Sequence, residues 1–180
     1  MAWEIDQSHS LIEFSVKHMM VTTVKGRFTK FAGKIDLDEA NPAASVVDVT
    51  IDTNSVATGD EKRDGHLRSP DFFDVEQYPT ITYKSTHVEL TGHDSARVTG
   101  DLTIKGVSHP VTLEVTREGE TKNMRGERLM GFSVRTSFSR KDWGLNWNVA
   151  LETGGVLVSD KITVAIDAEV FEPAAAPANA

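Results

Sequence analysis

The chain has 180 residues, 19 of them basic and 27 acidic, a formal net charge of −8 and no cysteine. That length suits one domain, or one domain with a tail, able to bury a core without disulfides or metals. The negative balance excludes a nucleic-acid binder, which needs a basic stripe to displace counterions, and lasting adhesion to an anionic membrane, while the missing cysteines exclude thiol catalysis and thiolate-bound metals.

The N-terminus, MAWEIDQSHS, lacks a basic region followed by an apolar run, and no later stretch reaches the roughly 18 apolar residues of a membrane helix. As written, a cytoplasmic location is expected. Strands are expected near 3–6 and 10–18; in IEFSVKHMM, Ile12, Phe14, Val16, His18 and Met20 share one face and Glu13, Ser15 and Lys17 the other. A strand near 24–37 follows, bent or split, and one near 45–53 sets Val47, Val49 and Ile51 against Asp48, Thr50 and Asp52.

Gly59 to Pro79 breaks the alternation. Asp60 and Glu61 precede Arg63, His66 and Arg68, the charge order a helix prefers, and Ser69-Pro70 stops it, so a short surface helix is expected near 60–69. Phe72 and Phe73 just beyond must be buried and are suited to plug one end of a barrel.

Strands resume near 80–90, 96–105, 110–117, 128–139 and 156–171. Leu102 and Ile104 alternate with Asp101 and Thr103, Leu113 with Thr112 and Glu114, and Phe132, Val134 and Phe138 with Ser133, Arg135 and Ser137. About eight to ten one-faced strands make an antiparallel all-β domain, closed as a barrel or paired as a sandwich. Glycines inside the patterns at Gly26, Gly33, Gly100 and Gly131 offer bends and bulges, which favour the barrel. The tail from Glu172, EPAAAPANA, has no periodicity and is expected to be disordered.

The six histidines, His9, His18, His66, His87, His93 and His109, show none of the short spacings of a metal site, so no metal is expected. His9 in QSHS reads as a turn residue bonding its own backbone. His18 reads either as a hydrogen-bonded core group or as an anchor near a channel mouth for a ligand's head oxygen. Asp71 and Asp74 bracket the two phenylalanines, but sequence cannot bring them to a partner, and Ser8-His9 and Ser108-His109 are strand neighbours facing opposite ways. An eight-stranded barrel is of the size that is either filled by its own side chains or holds one small ligand. Three functions stay open at this point: a carrier, a small lipid-modifying enzyme using a histidine and a carboxylate, and a solid-core interaction module.

Five stretches narrow the choice: WEIDQSHSLIEFSVKHMMVTTVKGRF, SPDFFDVEQYPTITYKS, GDLTIKGVSHPVTLEV, FSRKDWGLNW and VSDKITVAIDAEV. In order and spacing, over about residues 3–171, the chain resembles the YceI-like family of polyisoprenoid-binding proteins. The resemblance implies an extended, eight-stranded, lipocalin-like antiparallel barrel with an inserted helix, and a non-catalytic role in carrying or storing an isoprenoid or similar amphiphile in an apolar channel. No cofactor beyond such a lipid is implied, and a homodimer is allowed.

The implied lining is the dry phase of the strands: Phe14, Val16, His18, Phe28, Leu102, Leu113, Phe132, Val134, Val164 and Ile166, together with Met20, Ile81, Tyr83 and Phe138. Phe72, Phe73, Trp143 and Leu145, placed by the DFF and RKDWGL matches, are the implied gate. Met19 to Val24 looks apolar and exposed, suited to a mouth that touches membranes briefly.

Overall fold

The alternation becomes eleven antiparallel strands in a computed structural model that describes residues 2–174. They are β1 (Ala2–Ile5), β2 (Leu11–His18), β3 (Thr22–Phe28), β4 (Phe31–Asp36), β5 (Val46–Asp52), β6 (Val56–Ala57), β7 (Thr80–Leu90), β8 (Ser95–Ile104), β9 (Val107–Lys122), β10 (Arg128–Ser139) and β11 (Lys161–Phe171). Among the described residues one α-helix, α1 (Glu61–Arg68), is present, and it follows β6.

Three pairs of these are bent halves of one strand. β11 pairs with β2 through Thr163–Asp167 and with β1 through Val170 and Phe171; β4 and β3 then lie against β1 and β2, and β5 and β6 against β4 and β3. Taking each pair as one strand, eleven becomes eight, and β1 to β11 closes the barrel. The expected strand at 24–37 therefore breaks at Thr29 and Lys30, and β6 is a short strand that sequence reading missed.

The breaks fall at one level, and side chains replace the lost ladder there. Gln7 Oε1 accepts from the Phe31 amide at 3.2 Å, and Ser55 Oγ accepts from the amides of Thr29 and Lys30 at 3.1 and 3.0 Å. An unpaired backbone donor is costly where it is buried, which makes the half-buried bond from the Phe31 amide to Gln7 the important substitute, while those from the Thr29 and Lys30 amides are exposed. Bulges at Gly131/Phe132 and Ser85/His87 add curvature, the second beside Gly100.

α1 starts where its sequence says it should. Asp60 caps it by accepting from the Arg63 amide, and buried Asp64 accepts from the backbone and hydroxyl of Thr58. Arg68 donates to the carbonyls of Asn54 and Val56, tying the helix to the bent β5–β6 strand.

Two further boundaries differ from expectation. β9 runs to Lys122 rather than 117 because its outer half still pairs with β10. The last strand starts at Lys161 rather than 156, since residues 140–160 leave the sheet as an excursion. Of the expected tail, residues 175–180 lie outside the described residues.

The barrel thus has two distinct ends. One carries α1, the turn at 19–21, the turn at Lys105 and Gly106, and the 140–160 excursion. The other carries Trp3, the 37–45 loop and the turns at 91–94 and 123–127.

Candidate functional site

Inside the barrel a cavity of ≈ 810 Å³ reaches from one end to the other. At the Trp3 end it touches Leu37, Glu39, Leu90, His93 and Arg117; at the α1 end it touches Lys17, His18, Lys62, His66 and Trp147. Between those rims the walls are apolar. The dry phase of β2, β7, β9, β10 and β11 supplies them, because alternate residues of a closed barrel point inward.

The wall is smooth because rings lie flat against it. Phe14 is paired across the sheet with Gly26, and a Cβ on that glycine would stand 2.4 Å from Phe14 Cζ, so the missing side chain makes room for the ring. Tyr83 lies in the same way over Gly100, where a Cβ would come within 2.7 Å. Its hydroxyl sits 3.1 Å from the carbonyls of both Val98 and Val111 and so presents no free donor to the lumen. Burial and nearby Asp101 push the phenol's pKa well above its ordinary value, keeping it neutral.

At the α1 end the lid is aromatic. His66, Phe72 and Trp147 form a three-way cluster with ring separations of 5.0 Å (His66–Phe72), 4.5 Å (His66–Trp147) and 5.5 Å (Phe72–Trp147). Asp71 fixes the imidazole through a 2.9 Å contact to Nε2. Phe73 turns inward and meets Phe28 edge-on at 5.8 Å.

A buried arginine holds the excursion that carries Trp147. Arg140 is 3 % exposed and donates to the carbonyls of Leu145, Trp147, Val158 and Ser159, so one guanidinium gathers both arms of the loop. Burial lowers its pKa, and Asp160 at 3.9 Å opposes that shift.

At the Trp3 end the closure is ionic. Arg128 grips Glu39 of the 37–45 loop with two nitrogens, at 2.7 and 3.0 Å, holds Glu120 at 2.6 Å, and stacks 5.1 Å above the Trp3 ring. These partners raise the arginine's pKa and depress that of Glu39. Arg117 is likewise paired with Asp94 at 2.7 Å.

Of the residues expected from sequence to line or gate a channel, the structure brings Phe14, Val16, His18, Phe28, Phe72, Phe73, Ile81, Tyr83, Leu102, Leu113, Phe132, Val134, Phe138, Leu145, Val164 and Ile166 to the cavity. Met20 and Trp143 lie elsewhere. Met20 falls in the turn after β2 with φ 62°, which ends the alternation and turns its side chain outward. Trp143, 1 % exposed, is packed behind the wall against Phe138 at 4.8 Å, its indole N–H donating to the Leu102 carbonyl.

Sequence reading missed His66 and Trp147 as lid residues, and the His66-x₄-Asp71 spacing across a helix end was the available signal. His18 lines the cavity and is half-buried, with no hydrogen bond from its ring to another described residue. His9 bonds Asp6 Oδ2 at 2.8 Å rather than its own backbone; Asp6 is the group that caps the turn. With Glu169 these two form an acidic and histidine cluster on the surface, away from the cavity.

Known proteins with this sequence pattern and shape include several bacterial ones. The YceI-like domain model matches residues 3–170. A UPF0312 protein of Staphylococcus epidermidis is 39% identical over 168 residues, 93% of this chain and 95% of that protein. Among solved structures, BcnA of Burkholderia cenocepacia superposes with a TM-score of 0.78 at 25% identity, covering 92% of this chain and 98% of its own. A polyisoprenoid binding domain from Saccharophagus degradans has a TM-score of 0.67 over 95% of this chain and 98% of its own, at 18% identity, a likeness of fold alone.

Proposed function

We propose, from the premise that this chain belongs to the YceI-like domain family, that it is a non-catalytic carrier holding one long isoprenoid or similar amphiphile in its channel. The observation that carries this reading is the ≈ 810 Å³ cavity, apolar between its rims and continuous from the Trp3 end to the α1 end. A space of that size falls within the ~300–1,000 Å³ of small-molecule sites. It also weighs against the solid-core alternative, since the dry faces surround a space instead of meeting.

Burial of each CH₂ contributes roughly 0.8 kcal/mol, so each five-carbon unit adds on the order of 3–4 kcal/mol before ordering costs. Several units give tight binding without a headgroup contact. Groups that could do chemistry are sparse along the path. His18 has no carboxylate partner among the described residues, and the His66–Asp71 pair is committed to the aromatic lid. A fold neighbour described as a polyisoprenoid binding domain makes an isoprenoid the natural first cargo to try.

Titration with prenyl alcohols of increasing length tests the reading. Affinity should climb with each unit until the channel is full, then level off, while changes of headgroup alter it little. Equal affinity for short and long tails would remove the channel from the binding event. Ile166→Asp, which puts a charge on the wall, should abolish binding in a protein that still shows the β-rich circular dichroism of the parent.

A further inference from the structure

The turn between β2 and β3 is built from residues that do not suit it. Val21 N–H bonds the His18 carbonyl at 3.1 Å, closing a tight turn whose two central residues are Met19 and Met20. Both lie in the left-handed region, with φ 52° and φ 62°. Asparagine and glycine occupy such positions at little cost; a long side chain with a Cβ does not. The turn therefore gains nothing locally from its methionines.

Their side chains are also out in water. Met19, Met20 and Val21 are 46%, 62% and 78% exposed, and Val149 on the neighbouring excursion is 48% exposed. The two tips are tied together: Met19 N–H donates to the Leu157 carbonyl at 2.8 Å, His18 bridges to Val158, and Met20 reaches toward Gly155. A jointly held apolar edge thus stands at the α1 end of the barrel.

The same edge borders the channel mouth. Lys17, His18, Leu157 and Val158, which flank the tip in sequence and pairing, all line the cavity. Among the residues that line the cavity at this rim, Lys17, Lys62 and Arg63 outnumber Asp60, with Glu61 and Glu152 exposed farther out, and neither lysine ammonium forms an ion pair among the described residues. At the Trp3 end, by contrast, Glu39 and Asp94 are each matched by an arginine.

We infer that the Met19–Val21 tip, with Val149, is a docking edge for an anionic lipid bilayer, through which cargo enters or leaves the channel without crossing water. The inference rests on the carrier reading for its purpose, but not for its test. Flexible, polarizable methionines fit a fluid acyl region, and free lysines just behind them fit lipid phosphates. The net charge of −8 keeps the contact brief, because the rest of the surface is repelled once the tip withdraws.

The chain has no cysteine, so Met20→Cys gives a single labelling position. An environment-sensitive fluorophore there should shift to the blue when vesicles of phosphatidylcholine with phosphatidylglycerol are added, and shift back with added salt. No shift, or a shift that grows with protein concentration in the absence of vesicles, overturns the inference, the latter because it points to a second copy of the chain.

The second variant is Met19→Asn with Met20→Gly, which suits the turn and should fold at least as well. Transfer of a fluorescent prenyl amphiphile from vesicles should slow by about tenfold, with its equilibrium affinity from detergent unchanged. An unaltered transfer rate also overturns the inference. A labelled protein that docks on vesicles but takes up no amphiphile would instead remove the carrier reading and leave the docking edge standing.

Discussion

The two ends of the barrel are closed by opposite means. At the Trp3 end, a guanidinium sandwiched between an indole and two carboxylates draws the 37–45 loop down onto the rim. At the α1 end, an aromatic cluster covers the opening, and of the cations on that rim Lys17 and Lys62 form no ion pair among the described residues. A bidentate guanidinium–carboxylate pair fixes the direction in which the loop is held, while its partial exposure keeps the energetic contribution small. Rings in edge contact slide past one another at small cost. One end is therefore a base and the other a door.

Two substitutions test that contrast. Trp3→Ala should have the largest effect, lowering stability by about 3–5 kcal/mol in chemical denaturation, since a fully buried indole and its contact with the Arg128 guanidinium are both lost. Trp147→Ala, at the half-buried lid, should leave stability within ~1 kcal/mol and speed release of a bound amphiphile. Equal destabilisation by the two would erase the distinction between base and door.

Gly26→Ala addresses the wall between them. The new methyl would sit 2.4 Å from the Phe14 ring, which must swing into the lumen. A loss of about 1–3 kcal/mol is expected from overpacking, together with a shorter maximum tail length in the prenyl titration. An unchanged length limit would mean that the tail does not pass Phe14.

The smallest effect belongs to the kink where β1 passes into β2. Hydrogen bonds from His9 and Ser8 hold the Asp6 carboxyl down at about 2, against an ordinary 3.8. A depressed folded-state pKa contributes stability that is present above pH 3.8 and lost as pH falls toward 2. His9, whose pKa is raised by Asp6, contributes in the other direction, its share fading as pH rises through the raised value. Asp6→Asn should therefore flatten the acid limb of a stability–pH profile by less than ~1 kcal/mol, as expected of a half-buried carboxylate whose histidine partner is exposed. Little change in cargo release is expected, since neither Asp6 nor His9 lines the cavity.

Much of this architecture was legible in the residues. Val47, Val49 and Ile51 against Asp48, Thr50 and Asp52 declare a one-faced strand, and Asp60 followed by Arg63, His66, Arg68 and Ser69-Pro70 declares a capped helix, because these signals act within a turn or two of chain. Inward-facing residues such as Phe14, Leu113 and Ile166 could be named for the same reason. Met20 could not, since the alternation that seemed to include it stops at a turn whose left-handed residues are not the usual asparagine and glycine. Trp143 could not either, since whether a ring stands before or behind a wall depends on a neighbouring strand.

Local patterning by itself determined which sides of the strands avoid water and where the one helix lies. Whether those sides interlock or enclose a space was decided only by closure: β1 meeting β11, and three strands bending at one level on the side chains of Gln7 and Ser55. Barrel width follows from strand number and stagger, which are set by pairings between residues more than a hundred positions apart. The cavity is a consequence of that distant seam, and Trp147 over His66 and Glu39 under Arg128 are likewise brought together from far along the chain, which no short window of sequence contains.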